Sequence, residues 1–310
     1  MKKTFLFFIF FFILFNSHSF GELSFVQTKD VTSDTPGVRG INFKPDGKIM
    51  YITSRLKDSE DAYVVQYSLS TPFDISTATR SFNDGDGTQL ACSTNMKLPH
   101  AIEFKPDGTK MFVATNKDFS GNPGVAIFQF KLTTAWDSST LVCEKIYEVT
   151  ETGVFVENQL RTLAFKPDGT RMFVGGKNTD KIRQFDLSNA WDLSSGVTPG
   201  EISDSLASAD GTMRNIQFNS DGTALYIAGD GNARMNKYTL STAYDITTLS
   251  STFSTFDLGS RADDMRGFIF AANFTKLFVT SDGETGAITC LLYTSPSPRD
   301  KTVSRMPSSA

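Results

Sequence analysis

One short stretch, Phe104-Lys105-Pro106-Asp107-Gly108-Thr109-Lys110-Met111-Phe112-Val113, limits the fold more than any other feature of the chain. It returns as Phe43 to Ile52, with Lys44-Pro45-Asp46-Gly47 at its centre, and as Phe165 to Val174. Looser copies run from Phe218 to Ile227 and from Phe270 to Val279. Each copy reads as two strands joined by a tight turn. Proline presets φ at the first turn position, aspartate bonds back to its own backbone, and glycine takes the left-handed position. The flanks, such as Ala101-Ile102-Glu103-Phe104, carry the apolar and aromatic residues that favour strands. The keyed phenylalanines, at 43, 104, 165, 218 and 270, lie 61, 61, 53 and 52 residues apart. That period in an all-strand pattern predicts an all-β fold, a β-propeller of four-stranded blades with five repeats present.

Each repeat follows one plan. An inner strand ends at the keyed phenylalanine, the turn reverses it, and a second strand follows. Third strands are predicted at Tyr63 to Leu69, Ala126 to Leu132, Lys181 to Leu187 and Ala233 to Leu240. Next comes a small aromatic-Asp segment: Phe73-Asp74, Trp136-Asp137, Trp191-Asp192 and Tyr244-Asp245. Its recurrence in every copy points to a structural role, the aromatic covering the blade edge and the aspartate bonding local backbone. Fourth strands are expected near Arg80 or Leu90, then at Cys143 to Val149, Ile202 to Leu206 and Phe253 to Leu258. Leu23 to Val31 has the character of a fourth strand without a blade of its own, and the fifth repeat breaks off near Gly286-Ala287-Ile288-Thr289. Five blades can therefore close with the leading strand completing the last one, which removes exposed sheet edges. The favoured expectation is instead a chain truncated from a six- or seven-bladed protein. In the fifth turn Phe274 stands where glycine should be; a bulky residue at positive φ is costly, so that turn must differ.

The two ends read differently from the repeats. Lys2 and Lys3 precede an apolar run from Phe5 to Phe15, then polar, small residues. That run is too short to span a bilayer, so residues 1–21 are expected to be a secretory signal peptide, the propeller to occupy 22–289, and no integral membrane span is expected. The expected location is accordingly exported: periplasmic, secreted or cell surface. Residues 290–310 turn to Ser, Pro and Arg and are expected to be a non-native or disordered tail; "LLYTSPSPRD" resembles translated sequencing adapter carried by many unrelated proteins from environmental assemblies. Setting both ends aside removes Lys2, Lys3, Arg299, Lys301, Arg305 and Asp300, leaving 25 basic against 33 acidic residues, a net charge of −8 in place of −4. An acidic domain argues against nucleic acid as a partner. Cys92 and Cys143 sit in connecting regions of neighbouring repeats. Outer strands of adjacent blades should lie too far apart to bridge easily, so no disulfide is expected, although export permits one.

The repeat resembles those of bacterial exported β-propeller proteins of the Tyr-Val-Thr-Asn and lactonase-like type, over about residues 23 to 289. The resemblance implies the fold; because only the turn chemistry recurs, it leaves open binding scaffolds, adhesion modules and enzymes acting on lactones or cyclic acids.

Four residues before each keyed phenylalanine stand Arg39, His100, Arg161, Arg214 and Arg266. The first strand of a blade is innermost, so these five should ring one mouth of the central channel and bind an anion. Guanidinium groups grip carboxylates and phosphates in bidentate fashion. The expected partner is a carboxylated or phosphorylated ligand, or another protein. The competing expectation is a set of blade-to-blade staples with Asp263, Asp264, Asp210 and Glu157 as partners. The alternative function is a lactonase-like or cycloisomerase-like enzyme with His100 as acid-base and Arg161 holding a carboxylate. Glu103, three residues on, should face away from His100 by strand alternation. A metal-dependent lactonase would need inward carboxylates or amides, of which Asn42, Glu103, Ala164, Gln217 and Ile269 offer a partial set. Asp84-Gly85-Asp86-Gly87 lacks the remaining spaced calcium ligands and reads as an exposed turn. No Gly-x-Ser-x-Gly elbow or phosphate loop occurs, so neither cofactor nor metal is expected.

Overall fold

The computed structural model describes residues 22–33, 35, 37–55, 61–81, 88–92, 96–117, 125–149, 159–206, 212–229, 233–259, 262, 264–281 and 287–294. They form five antiparallel blades. Blade 1 consists of β2 (Val38–Phe43), β3 (Ile49–Arg55), β4 (Ala62–Leu69) and β5 (Ala78–Arg80), with β6 (Thr88–Gln89) also pairing β4. Blade 2 holds β7 (Lys97–Phe104), β8 (Lys110–Lys117), β9 (Ala126–Leu132) and β10 (Leu141–Glu148). In blade 3 stand β11 (Leu160–Phe165), β12 (Arg171–Gly176), β13 (Ile182–Leu187) and β14 (Val197–Ile202). Blade 4 is made of β15 (Met213–Phe218), β16 (Ala224–Gly229), β17 (Arg234–Leu240) and β18 (Leu249–Asp257). The last blade joins β19 (Met265–Ala271), β20 (Lys276–Ser281) and β21 (Ala287–Thr294) to β1 (Glu22–Asp30) from the start of the chain.

Of the two closures, the chain as it stands adopts the five-bladed one. The keyed phenylalanine of each blade packs on an aromatic from the second strand of the blade before it. Tyr51 meets Phe104, Phe112 meets Phe165, Phe173 meets Phe218 and Tyr226 meets Phe270, with ring centroids 4.5–4.7 Å apart. Phe278 of blade 5 meets Phe43 of blade 1 at 4.5 Å, so the interface that closes the ring is built like the other four. Five tilted aromatic pairs, each beyond simple burial in strength, thus run round the molecule. β21 reaches Thr294, past the expected boundary at 289. Ile288, Cys290 and Leu291 are buried there, where β21 lies between β20 and β1.

The aromatic-Asp segment covers the turn. Trp136 sits at φ +65° and its N–H donates to the Gly108 carbonyl at 3.1 Å. Phe73, Trp191 and Tyr244 do the same to Gly47, Gly169 and Gly222. Asp74, Asp137 and Asp245 cap the 3₁₀ turns that follow. Gly108 is needed twice, for its φ of +74° and because an added Cβ would lie 2.3 Å from the Trp136 ring. We expect Gly108→Ala to destabilise the protein by about 1–3 kcal/mol from the backbone conformation alone, with further loss from displacing the ring, read by urea unfolding; an unchanged midpoint would refute this account. Blade 5 has no such segment. Its turn carries Ala272, Asn273 and Phe274 all at positive φ, and Phe274 itself stacks on Phe270 at 5.0 Å. The turn differs as expected, and the misplaced phenylalanine supplies the covering ring.

Two expectations are corrected. The fourth strand of blade 3 is Val197–Ile202, not Ile202 to Leu206. Pro199 disguised it, yet proline is tolerated on an outermost strand. Cys92 and Cys143 do form a disulfide, with Cα atoms 5.3 Å apart. Cys143 lies on outer strand β10, but Cys92 lies just past β6, on the segment crossing from blade 1 toward β7. Along that segment Leu90 N–H donates to the Ala62 carbonyl, Ala62 N–H to the Met96 carbonyl and Met96 N–H to the Leu90 carbonyl. The crossing chain, rather than an outer strand, carries Cys92 to the edge of blade 2.

Candidate functional site

The five predicted basic residues occupy one structural position. In each blade the pairing of first and second strands slips at one point: between Val38 and Ile41, Pro99 and Ile102, Leu160 and Thr162, Met213 and Asn215, and Met265 and Gly267. Arg39, His100, Arg161, Arg214 and Arg266 lie within those slips. A bulge inserts an unpaired residue and re-aims its side chain, and here the inserted position is arginine in four blades and histidine in blade 2. The bulge also breaks strict alternation, so the expectation that Glu103 faces away from His100 does not follow from their spacing.

This tier is enclosed by protein. Arg39, His100, Arg161 and Arg214 are 3–7% exposed, so they are buried side chains and not a surface patch. Around them the blades are joined by neutral groups. Thr53 Oγ1 donates to the His100 carbonyl at 3.0 Å and accepts from Gly40 N–H at 2.8 Å. Thr280 Oγ1, from blade 5, donates to the Arg39 carbonyl of blade 1 at 2.5 Å. Asn42 Nδ2 donates to the Ile102 carbonyl, Asn215 Nδ2 to that of Phe268, and Gln217 exchanges bonds with the Phe270 backbone.

Of the expected staples, Arg266 Nη2 pairs with Asp264 at 2.7 Å. Asp263, Asp210 and Glu157 lie outside the described residues, as does Asp84-Gly85-Asp86-Gly87. Arg161 Nη2 donates to Gln159 Oε1 at 2.8 Å and Arg39 Nη1 to the Val38 carbonyl at 2.7 Å. His100 Nδ1 and Arg161 Nε and Nη1 are buried without a hydrogen-bond partner among the described residues.

Burial holds the His100 imidazole well below its ordinary pKa, and Arg39, Arg214, Arg266 and Arg55 press it the same way. His100 is therefore neutral at physiological pH. Arg55, at the end of β3, is the member sequence reasoning missed. Its counterparts Asn116, Lys177, Asp230 and Asp282 are an amide, a cation and two carboxylates, so repetition could not mark it. Glu103 keeps some contact with solvent, yet burial pushes its carboxyl up to about 8 against a weaker opposing bond from Asn42. Of the partial carboxylate and amide set, Asn42 and Glu103 meet each other, and Gln217 is taken up by blade 5. Among the described residues no group of three or more His, Cys, Asp or Glu is placed to hold a metal ion.

These features define a closed five-bladed β-propeller with a basic inner tier. No protein-family model matches the chain and no curated protein matches its sequence. Solved structures are similar to the chain in fold. The periplasmic gluconolactonase of Pseudomonas aeruginosa is 13% identical, with a TM-score of 0.50 over 85% of this chain and 69% of its own. A candidate 6-phosphogluconolactonase of Bacteroides fragilis is 17% identical, with a TM-score of 0.44 over 83% and 70%. A calcium-binding regucalcin of Agrobacterium tumefaciens is 12% identical, at 0.49 over 88% and 96%. Likeness at these identities speaks for the fold alone.

Proposed function

We propose that the chain is an exported β-propeller that binds an anionic ligand, carboxylated or phosphorylated, at the inner tier formed by Arg39, His100, Arg161, Arg214 and Arg266. The observation that carries this reading is the bulge occupied by arginine in four blades and by histidine in the fifth. Buried cations held close together repel unless an anion offsets them. Four arginines share one register here, and Arg39, Arg161 and Arg214 among them are buried. Arg161 keeps buried donors for a ligand, and the bonding between blades in this tier runs through Thr, Asn and Gln side chains. Export is supported by the basic and apolar start of the chain and by the Cys92–Cys143 disulfide, which suits an oxidising compartment.

Calorimetric titration with inorganic phosphate, citrate and a sugar phosphate tests the site. Arg161→Gln and Arg214→Gln should each weaken binding roughly 10- to 100-fold, as loss of a charge-assisted hydrogen bond does, with little change in Tm. Affinity should also fall with added salt. A large drop in Tm with no anion affinity in the parent protein would establish the arginines as structural instead.

A second reading, a lactonase-like or cycloisomerase-like enzyme, draws on the neutral His100 as a buried base beside arginines able to hold a carboxylate. Turnover of a lactone panel that survives His100→Ala would eliminate it.

A further inference from the structure

We propose that the anion enters the inner tier together with a proton, which is taken up by His100. This rests on the anion-binding reading and adds to it the protonation state of the occupied site. The groups facing His100 from neighbouring strands are cations. They are Arg39 on β2, Arg55 on β3, Arg214 on β15 and Arg266 on β19, each acting on the imidazole by like charge. Among the described residues, Asp264, Asp61 and Glu103 are each already engaged. Asp264 is held by Arg266. Asp61 is held by Lys97, at the start of the same strand as His100. Glu103, further along that strand, is bonded by Asn42 and neutral near pH 7, because burial raises its carboxyl. Lys110 on β8 lies beside Glu144 and Asp192, at the turn end of the blade.

His100 is 3% exposed and its Nδ1 has no partner among the described residues. The imidazolium form is therefore opposed twice, by burial and by like charge. An anion seated among the arginines reverses the second effect. It also gives an N–H on Nδ1 an acceptor, and hydrogen bonding to the charged form favours that form. Occupancy should move the imidazole pKa back toward or above its ordinary value of about 6.5. By linkage, a ligand that raises a pKa must bind more tightly as pH falls.

Sulfate is a suitable probe because it stays a dianion across the pH range used. The chain has two histidines, His18 and His100, so the full chain carrying His18→Gln reports a single imidazole by proton NMR. Without sulfate the His100 signal should stay in its neutral position down to about pH 5. With saturating sulfate its midpoint should rise by at least one pH unit. Sulfate affinity should climb by up to tenfold per pH unit as pH falls below the midpoint of the occupied site, from about pH 7 to 5, and His100→Gln should flatten that slope.

Sulfate binding that Arg161→Gln weakens, but that leaves the imidazole signal unmoved and is independent of pH, would overturn this inference and leave the anion site standing. Absence of binding by sulfate, phosphate and carboxylates alike would overturn both. The NMR titration of His100 itself decides the matter even if His100→Gln does not fold.

Discussion

Cys143→Ser should lower the stability of the folded protein by about 4 kcal/mol, the chain-entropy value for a cross-link closing a loop of about 50 residues. For a domain of this size that corresponds to roughly 8–16 °C in Tm. The two cysteines lie 51 residues apart in sequence, and the loop they close contains most of blade 2, His100 included. Without the bond, the segment from β6 to β7 keeps the backbone bonds between Ala62, Leu90 and Met96, so the blade should still form once folded. The loss should therefore appear mainly as a wider unfolded ensemble, and anion binding at the inner tier should persist well below the new Tm. Differential scanning calorimetry of the variant, and of the parent protein with and without reductant, measures it. A Tm unchanged within 2 °C would mean that the reduced chain is already restrained by other contacts and that the cross-link is incidental.

What was legible in the sequence was whatever is decided locally. The Lys-Pro-Asp-Gly turn fixes a hairpin from four residues, and five turns at regular spacing fix a propeller. The basic tier was legible for a related reason, since each member keeps the same distance from a keyed phenylalanine. That the members are bulge residues was not, because a bulge is a mismatch between two strands and sequence displays only one at a time. Closure was legible as one of two options. Choosing between them required the pairing of β1 with β21 and of Phe278 with Phe43, contacts between distant parts of the chain. The disulfide was not legible because the distance between outer strands of adjacent blades does not bear on it: Cys92 rides on the crossing segment. β14 was displaced because Pro199 reads as a breaker unless the strand is known to be outermost. Phe274 shows the opposite case. The costly left-handed phenylalanine was visible at once, but its use as the missing covering ring depends on knowing that blade 5 lacks an aromatic-Asp segment.

Glu103→Gln should stabilise the protein at alkaline pH while leaving it nearly unchanged near pH 4.5. The carboxyl of Glu103 is pushed up to about 8 from an ordinary 4.5, chiefly by burial. Because the folded-state pKa is the higher one, the folded chain holds this proton longer than the unfolded chain. The contribution to stability is whole below pH 4.5 and is lost as pH rises through about 8. A shift of that size corresponds to at most roughly 5 kcal/mol, and residual contact of Glu103 with solvent reduces it. Glutamine keeps the shape and an oxygen for the Asn42 amide, now at 3.4 Å from Glu103 Oε2, without a proton to lose. His100 acts in the other direction over part of the same range. Its folded pKa is depressed, so its contribution is present above pH 6.5 and is lost as pH falls. The curve of the parent protein alone therefore mixes two opposing slopes. The informative quantity is the difference between parent and variant in urea-unfolding free energy, measured from pH 4.5 to 8.5. That difference should open steadily in favour of the variant above pH 5. Two parallel curves would mean that Glu103 ionises as freely in the folded chain as in water, and that the boundary between blades 1 and 2 at Asn42 and Glu103 is wetter than its packing implies.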